Sequence, residues 1–416
     1  MRVLLAPGGL WPEPAGVTLV GPGCGLPADR VVACLASGWQ AVRPNDSLSL
    51  MPMADGGPGS VQVIPPERVA SREVLQGHGP LGQIREVDLV GLTPRPLHCG
   101  SRRPKQGRTW FLDAARLLAL PTDPDEGARE ALQGSTYGLG QVIGAALRRT
   151  RPSDTLLVGL SRSAVHDGGV GALDALGGAT AAMDLLAGRS LGLVLADDVA
   201  LGGMNGAGAA LAEVTSLSPE QAQELDRRAC AAAMEAVNAA DTIRQSSSGG
   251  TRLLPVVSVL DGARTSPVPG NLELAGEARV RASTWGTGAA GGSAMVLRSL
   301  GAWARPGARV MAGIIDLSGV VNDQDLVVTA SGELYDVPAD GVVGVVGHHA
   351  ASRALPVALV CGRCATTRGE LAGAGISNAY SLQEPHAVEP WDAVGSDTLE
   401  DRLRDMGARL ARTWSR

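Results

Sequence analysis

The stretch Ser47-Leu48-Ser49-Leu50-Met51-Pro52-Met53-Ala54-Asp55-Gly56-Gly57 decides the fold class. Residues Ser47 to Met53 predict a short strand, and a carboxylate followed by two glycines comes directly after it. A carboxylate at the C-terminal end of a strand faces the ligand crevice of an open α/β sheet. An ordinary Asx turn would use the same residues without a ligand, so Asp55 alone leaves both interpretations open.

The segments around this motif alternate between strand and helix. Arg2 to Ala6 is a strand candidate, Gly8 to Gly25 is a Gly- and Pro-rich loop, and Leu26 to Trp39 carries apolar residues at helical spacing. Further strands are predicted at Arg85–Val90, Thr109–Leu112, Thr155–Leu160, Gly192–Ala196, Leu254–Val259, Leu326–Thr329 and Pro356–Cys361, and helices at Gly138–Arg148, Gln221–Ala240, Gly341–Ala354 and Leu399–Trp414. This succession predicts an α/β fold with a doubly wound sheet.

Composition limits the class of protein. The 416 residues suffice for two or three domains, and the 44% hydrophobic and 3% aromatic shares predict an aliphatic core. The net charge of −6 argues against a general nucleic-acid surface, which would need a basic stripe. Lys105 is the only lysine, so a phosphate-binding cation must be Lys105, an arginine or a metal.

The chain contains no apolar run of about 18 residues that would span a membrane, and Met1 to Pro7 does not resemble a signal peptide. Six scattered cysteines indicate a reducing compartment, so we predict a cytoplasmic protein. Cys361 and Cys364 form one CxxC pair without a second ligand pair for zinc. Packing thiols and redox or metal chemistry both remain open for this pair.

Two further motifs combine hydroxyls or charges with glycines. Ser135-Thr136-Tyr137-Gly138-Leu139-Gly140 leads into a helix, where two hydroxyls and free helix amides would form an anion pocket. The alternative is an N-cap with hinge glycines. Ser163-Ala164-Val165-His166-Asp167-Gly168-Gly169 follows a buried strand, where a charged residue is costly unless a ligand or a cap uses it. His166 alone could equally be a structural histidine.

A fourth motif, Gly286-Thr287-Gly288-Ala289-Ala290-Gly291, is a literal GxGxxG. A dinucleotide fold also needs an acidic residue about 20 positions later, where this chain has Arg309-Val310-Met311. We therefore reject NAD binding and expect an anion-binding helix start at this position.

In this order, the motifs resemble those of the bacterial two-domain glycerate kinases. The family carries ADGG, GPLG, TTYG, GGSA-x-N-DGG, CDV, PGAGAAGG and TGEG segments. Their counterparts here are Ala54–Ser60, Gly79–Gly82, Ser135–Gly140, Ser161–Gly171, Asp197–Val199, Trp285–Gly292 and Thr329–Gly332. The resemblance covers essentially the whole chain, and seven collinear motifs are far more specific than one.

The chain also departs from the family pattern. The opening D-S-F-K-G-S loop corresponds to Val20–Gly25, so its carboxylate, hydroxyls and lysine are missing. The GGS turn is Ser161-Arg162-Ser163, the asparagine of NDGG is His166, the glutamate of TGEG is Ser331, and a later Gly-Lys pair is Gly341-Val342. Phosphoryl transfer needs positive charge around the transferred group, so Arg162 is the candidate replacement for the lost lysines. Lys105 is the weaker candidate, because Pro104 to Gly107 predicts a turn between two strands.

The resemblance implies a flavodoxin-like doubly wound domain built from residues 1–71 and 284–416, with a second α/β domain, residues 72–283, inserted into it and a cleft between them. It implies ATP and Mg²⁺ as cofactors, a small hydroxy acid as substrate, and a possible homodimer. Asp198 would be the general base, and Asp55 and Asp167 would hold metal or substrate hydroxyls. The anion-binding residues would be Ser135, Thr136, Gly138, Gly140, Arg162, Ser163, His166, Thr287 and Gly288.

Two functional hypotheses follow from these residues. One is an ATP- and Mg²⁺-dependent kinase acting on a hydroxyl of glycerate or a relative. The other is a kinase-derived protein that has lost or altered phosphate transfer, either as a ligand-binding or interaction protein or as a retuned enzyme of specialised metabolism. The lost lysine loop favours the second hypothesis, and retention of Asp55, Asp167 and Asp198 argues against simple decay.

Overall fold

The computed structural model describes residues 1–21, 23–94, 107–247, 279–383, 391–392 and 396–416. Lys105 and the predicted strand Leu254–Val259 lie outside these residues. The strands that the structure describes are β1 (Arg2–Leu5), β2 (Ser47–Leu50), β3 (Val69–His78), β4 (Ile84–Leu92), β5 (Thr109–Leu112), β6 (Thr155–Leu160), β7 (Ser190–Leu195), β8 (Trp303–Pro306), β9 (Leu326–Leu334), β10 (Val357–Cys364) and β11 (Asn378–Ser381). They form two sheets.

The α-helices lie between and around these sheets, and short 3-10 helices occur at Pro14–Gly16, Ser60–Val63, Pro66–Arg68, Ala114–Leu118 and Ala289–Gly292. In chain order the α-helices are α1 (Ala28–Val42), α2 (Pro124–Gln133), α3 (Tyr137–Arg149), α4 (Val170–Ala175), α5 (Gly178–Leu186), α6 (Leu211–Val214), α7 (Pro219–Ser247), α8 (Ser293–Ser299), α9 (Gly307–Ile315), α10 (Leu317–Val321), α11 (Val342–Ala351), α12 (Arg368–Gly373) and α13 (Ser396–Trp414). Among the residues described, no helix is long and apolar enough to cross a membrane.

The first sheet has five parallel strands in the order β11-β10-β9-β1-β2. Numbered within the sheet, this order is the 2-1-3-4-5 arrangement of flavodoxin-like folds. Alternate residues of β1 point to opposite faces: Val3 and Leu5 pack on the side of α1 and α13, and Leu4 packs on the side of α9 and α11. The predicted doubly wound sheet is confirmed.

The second sheet has six strands in the order β3-β4-β5-β6-β7-β8. The β3–β4 and β4–β5 pairs are antiparallel, and β5 to β8 are parallel. One face packs on α3 and α8, and the other packs against α9, which is shared with the first sheet. The strand β8 belongs to this sheet although it follows residue 284, so the domain boundaries deduced from the resemblance stay a prediction.

Candidate active site

A cleft of about 1300 Å³ lies between the carboxyl ends of the strands of the two sheets. Gly8 and Gly9 line it after β1, and Ser331 lines it within β9. These two strands flank the switch point of the first sheet, where ligands bind in open α/β folds. The second sheet contributes Ser161 after β6 and Ala196 after β7. Residues at the carboxyl ends of strands from both sheets therefore meet in the cleft, which is the expected position of a ligand site.

Asp55 lines the cleft, as the opening motif predicted. Its Oδ1 atom accepts a hydrogen bond of 2.9 Å from the N–H of Gly57, so the side chain closes an Asx turn. The Asx turn is present and Asp55 also lines the cleft, so a role of its carboxylate toward a ligand stays a prediction. Burial, with a smaller contribution from the negative charge of Asp197, raises the pKa of Asp55.

Asp197 and Asp198 follow β7 and also line the cleft. The guanidinium of Arg162 binds Asp197 through two nitrogens, with Nη2 at 3.1 Å from Oδ1. The Asp198 side chain is exposed to the cleft. The surrounding protein and the adjacent Asp197 raise the pKa of Asp198. The structure thus brings together Asp55, Asp198 and Arg162 among the residues that the sequence singled out.

Glu13 and Glu333 also line the cleft, and no sequence motif indicated either of them. Burial, together with Asp55 and Glu333, raises the pKa of Glu13 to about 8. Glu333 accepts hydrogen bonds from Trp391 Nε1 at 3.0 Å and from Tyr335 Oη at 2.6 Å. Glu333 lies two residues after Ser331 on β9, so both side chains fall on one face of the strand. A carboxylate therefore remains close to the position where the family glutamate is replaced.

The lining of the cleft is strongly acidic. Its eight acidic residues, the cleft carboxylates, are Glu13, Asp29, Asp55, Asp197, Asp198, Glu333, Asp336 and Asp340. Its basic residues are Arg116 and Arg162. Within the described part of the chain, no group of three or more His, Cys, Asp or Glu side chains could hold a metal ion.

Asp167 does not line this cleft. Its carboxylate accepts hydrogen bonds from the N–H groups of Thr136 and Gly169, each at 2.9 Å, and from Thr136 Oγ1. Gly171 N donates to it at 3.3 Å. Asp167 thus occupies the N-terminal ends of α3 and α4, where a helix dipole favours an anion. The carboxylate of Asp167 itself therefore occupies the position for which a bound anion was predicted.

The other residues of the Ser135 motif pack within the second sheet and its helices. Ser135 Oγ accepts from Tyr137 N at 3.1 Å, and Thr136 is fully buried. A Cβ atom at Gly138 would lie 1.7 Å from the carbonyl oxygen of His78, and one at Gly140 would lie 2.2 Å from that of Ala172. Both glycines are explained by close helix packing, and we propose no anion site there.

His166 and Ser163 are buried beside this region, away from the cleft lining. His166 Nε2 lies 3.1 Å from Asp226 Oδ1, and Ser163 Oγ accepts from Val165 N at 3.2 Å. His166 therefore has the partner of a structural histidine, the alternative that its sequence motif left open.

The polar groups of the GxGxxG stretch also form hydrogen bonds within the protein. Gly286 N donates to Asp198 O at 2.8 Å, and Gly288 N donates to Val199 O at 3.0 Å. Thr287 is fully buried, and its hydroxyl donates to backbone carbonyls. The α-helix that follows begins only at Ser293, after a short 3-10 helix at Ala289–Gly292. These glycines hold the Asp198 segment in place, so we propose no anion site at this position.

Comparison with known proteins agrees with this architecture. Residues 24–415 match the model of the glycerate kinase family. The chain is 30% identical over 380 residues to an uncharacterized protein of Mycobacterium tuberculosis, covering 89% of this chain and 85% of that protein. It is 27% identical over 402 residues to a glycerate kinase of Bacillus subtilis, covering 93% and 96%.

The solved structure of a protein assigned as glycerate kinase 2 from Salmonella typhimurium LT2 superposes with a TM-score of 0.60 at 19% identity, covering 99% of this chain and 98% of that chain. The two-sheet α/β fold is shared with that structure, and the family match together with the glycerate kinase relatives supports an enzyme of the kinase type. The chain belongs to the glycerate kinase family.

Proposed function

We propose that the protein is an ATP-dependent phosphotransferase that acts on a hydroxyl of a small hydroxy acid, glycerate or a relative, in the cleft between the two sheets. One observation carries this proposal: Asp198 is exposed to the cleft and its pKa is raised by the surrounding protein and by Asp197. A carboxylate with a raised pKa is a better proton acceptor for an attacking hydroxyl. Membership of the glycerate kinase family supports the reaction class.

Each cleft residue then has a distinct role. Asp198 accepts the proton of the attacking hydroxyl, and its backbone carbonyl is fixed by Gly286 N. Arg162 uses two of its nitrogens for Asp197, and its remaining N–H groups are available in the cleft to stabilise phosphoryl charge. Arg116 is the second cation of the lining. Phosphoryl transfer depends mainly on such positioning and charge stabilisation.

Asp55 is the residue that would hold Mg²⁺ arriving with ATP. Magnesium is typically bound through one or two carboxylates and the substrate phosphates, and such a site needs no cage of protein ligands. The absence of a three-ligand group among the described residues fits this mode. Bound Mg²⁺ would neutralise charge on the phosphates. Asp167, the other predicted metal ligand, is committed to Thr136 and Gly169.

The test is detection of phosphorylated product by ³¹P NMR with ATP-Mg and D-glycerate. We expect Asp198→Asn to lower turnover by roughly 100- to 10,000-fold, because an amide cannot accept the proton. Asp184→Asn is the matched control, since Asp184 is exposed on α5 and does not line the cleft. A near wild-type rate for Asp198→Asn would remove Asp198 from the mechanism.

A second candidate is a kinase-derived protein that binds ligands without transferring phosphate. The lining of the cleft favours it, because its basic residues are Arg116 and Arg162 and the two lysines of the family pattern are absent. Calorimetric titration with ATP-Mg and, separately, with D-glycerate discriminates between the two. Binding of neither would favour this second candidate. The homodimer and the cytoplasmic location stay predictions.

A further inference from the structure

Arg116 lies in the cleft just beyond the end of β5, next to a buried carboxylate. The strand ends at Leu112, Asp113 follows it, and the 3-10 helix Ala114–Leu118 brings Arg116 into the lining of the cleft. Burial raises the pKa of Asp113 to about 7, and the positive charge of Arg116 acts in the opposite direction. The two side chains are therefore close enough for their charges to interact.

Asp113 attaches this turn to the loop that contains Asp55. Its side chain is fully buried, and its Oδ2 atom accepts a hydrogen bond of 3.2 Å from Gly59 N. Gly59 follows the Asp55 motif, and both residues line the cleft. The backbone that carries Arg116 is therefore held beside the loop of the proposed magnesium ligand.

The guanidinium group of Arg116 is left with unused donors. Its one ion-pair contact among the described residues is Asp88, with Nη1 4.0 Å from Oδ2, which exceeds hydrogen-bond distance. Asp88 is already bound by Arg72, whose Nε and Nη2 atoms lie 2.8 and 2.9 Å from its two oxygens. Because an arginine carries five N–H donors in a planar fork, Arg116 can present this fork to a ligand in the cleft.

The other arginine of the lining is held differently. Two nitrogens of Arg162 bind Asp197, and its side chain is 15% exposed. The side chain of Arg116 is 44% exposed. Carboxylates are bound best by two parallel N–H groups of one guanidinium. The open fork of Arg116 therefore fits a carboxylate ligand better than the partly used fork of Arg162.

The order of the strands places Arg116 and Asp198 at opposite ends of one wall of the cleft. β5, β6 and β7 are parallel neighbours, so β5 and β7 lie about 9–10 Å apart with β6 between them. Leu120 and Ala164 share one buried cluster, which puts the segment with Arg116 next to the loop with Arg162. A small hydroxy acid that lies across this wall reaches Arg116 with its carboxylate and Asp198 with its hydroxyl.

We propose that Arg116 binds the carboxylate of the hydroxy acid and thereby selects acids over neutral hydroxyl compounds. The guanidinium donates two N–H groups to the carboxylate oxygens, while the hydroxyl of the same molecule lies at Asp198. Arg162 then remains for the phosphoryl charge. The inference rests on the proposed function for the transfer step, but binding of the acid is measured without nucleotide.

The test is calorimetric titration of the full chain in the absence of nucleotide. The ligands are D-glycerate, D-lactate and glycolate, each compared with its neutral amide. We expect at least one acid to bind about tenfold or more tightly than its amide, because the amide cannot form the charge-assisted pair. If each acid binds no more tightly than its amide, the proposal is overturned.

A substitution connects this selectivity to one side chain. We expect Arg116→Gln to weaken binding of the preferred acid by about tenfold or more and to leave binding of its amide unchanged. Arg116→Lys should recover part of the affinity, because the charge remains without the planar fork. Arg412→Gln, on the exposed face of α13, is the matched control and should bind like the wild type. Thermal denaturation verifies that each variant is folded, and wild-type acid affinity in a folded Arg116→Gln protein would contradict the assignment.

Turnover with ATP-Mg separates binding of the acid from stabilisation of the phosphoryl group. We expect Arg116→Gln to raise KM for the acid with little change in kcat, as loss of uniform binding does. A lower kcat at unchanged KM would assign Arg116 to the phosphoryl group and overturn the inference. If the wild type binds acids through Arg116 but ³¹P NMR detects no phosphorylated product, the inference stands and the proposed function fails.

Discussion

Glu13 is a cleft residue whose ionisation affects the free energy of unfolding. Its pKa is raised from 4.5 to about 8, chiefly by burial and then by Asp55 and Glu333. Between these two values the folded protein holds a proton that the unfolded chain has lost, so this group lowers the free energy of unfolding as pH rises. The decrease in the free energy of unfolding reaches its full value once the pH exceeds the pKa of Glu13 in the folded protein.

We therefore predict that Glu13→Gln is more stable than the wild type at pH 8 and differs less from it at pH 5. An amide has the shape of the protonated acid and no charge to desolvate. The measurement is urea denaturation at both pH values, with Glu235→Gln on the exposed face of α7 as the control. If the two variants show the same pH dependence as the wild type, Glu13 ionises normally.

Arg162 is the second residue whose role can be decided by substitution. It replaces a family glycine and lies in the cleft, where it binds Asp197 in a two-nitrogen geometry. We predict that Arg162→Gly weakens ATP-Mg binding by about tenfold, because a charge-assisted hydrogen bond contributes ~1.5–3 kcal/mol. Arg162→Lys should recover part of the loss, since the charge remains but the planar fork does not. Unchanged or improved affinity in Arg162→Gly would exclude Arg162 as the replacement for the missing lysines.

At the scale of elements, one carboxylate joins two helix starts. Asp167 accepts from Thr136 N at the start of α3 and from Gly169 N and Gly171 N at the start of α4. We predict that Asp167→Asn lowers the free energy of unfolding by about 2–3 kcal/mol, because hydrogen bonds to a charged acceptor are lost. Denaturant unfolding measures this effect, with Asp184→Asn as the control. A stability equal to that of the wild type would show that Asp167 is not a structural cap.

Local sequence patterns predicted many of the helices and strands, but they did not always predict the residue at which an element ends. The bounds of β5 and β6 match the predicted runs, since both are short apolar strands between turn residues. The strand predicted for Ser47 to Met53 ends at Leu50 in the structure, because its pairing partner β1 ends at Leu5, opposite Leu50. Ser218 caps α7, with its Oγ accepting from Gln221 N at 3.2 Å. Strand pairing is a tertiary effect that a single segment does not encode.

At the scale of the whole molecule, the sequence predicted the position of the cleft better than its lining. Asp55 was found because it follows a strand whose carboxyl end faces the crevice, and Asp198 because it matches the aspartate of the family's CDV segment. Glu13 and Glu333 are separated by most of the chain. Glu13 lies in a loop without a distinctive motif, and Glu333 directly follows the Thr329–Gly332 motif, in which Ser331 takes the place of the family glutamate. Only the closure of the first sheet, with β1 beside β9, brings these two carboxylates into one cleft. The charges of Glu13 and Glu333 therefore interact only once β1 and β9 are paired in the folded protein.

The charge of the assembled cleft leads to the last prediction, that ATP-Mg binds weakly. The triphosphate brings several negative charges, each of which needs a cation, an N–H group or water. The amides of Gly286 and Gly288 are already used by backbone carbonyls, and Asp167 occupies the start of α3. The donors expected from the glycine-rich segments are therefore committed within the protein.

Two family lysines are also missing, and a charge-assisted hydrogen bond contributes ~1.5–3 kcal/mol. Losing both weakens binding by roughly 100-fold or more, and Arg162 recovers about tenfold of that loss, so we expect a dissociation constant for ATP-Mg in the high micromolar range or above. Calorimetry with ATP-Mg and with adenosine tests the physical reason, because an acidic cleft should gain little affinity from the triphosphate. A sub-micromolar constant for ATP-Mg, with adenosine far weaker, would show that the phosphate site has been rebuilt from cations other than Arg116 and Arg162.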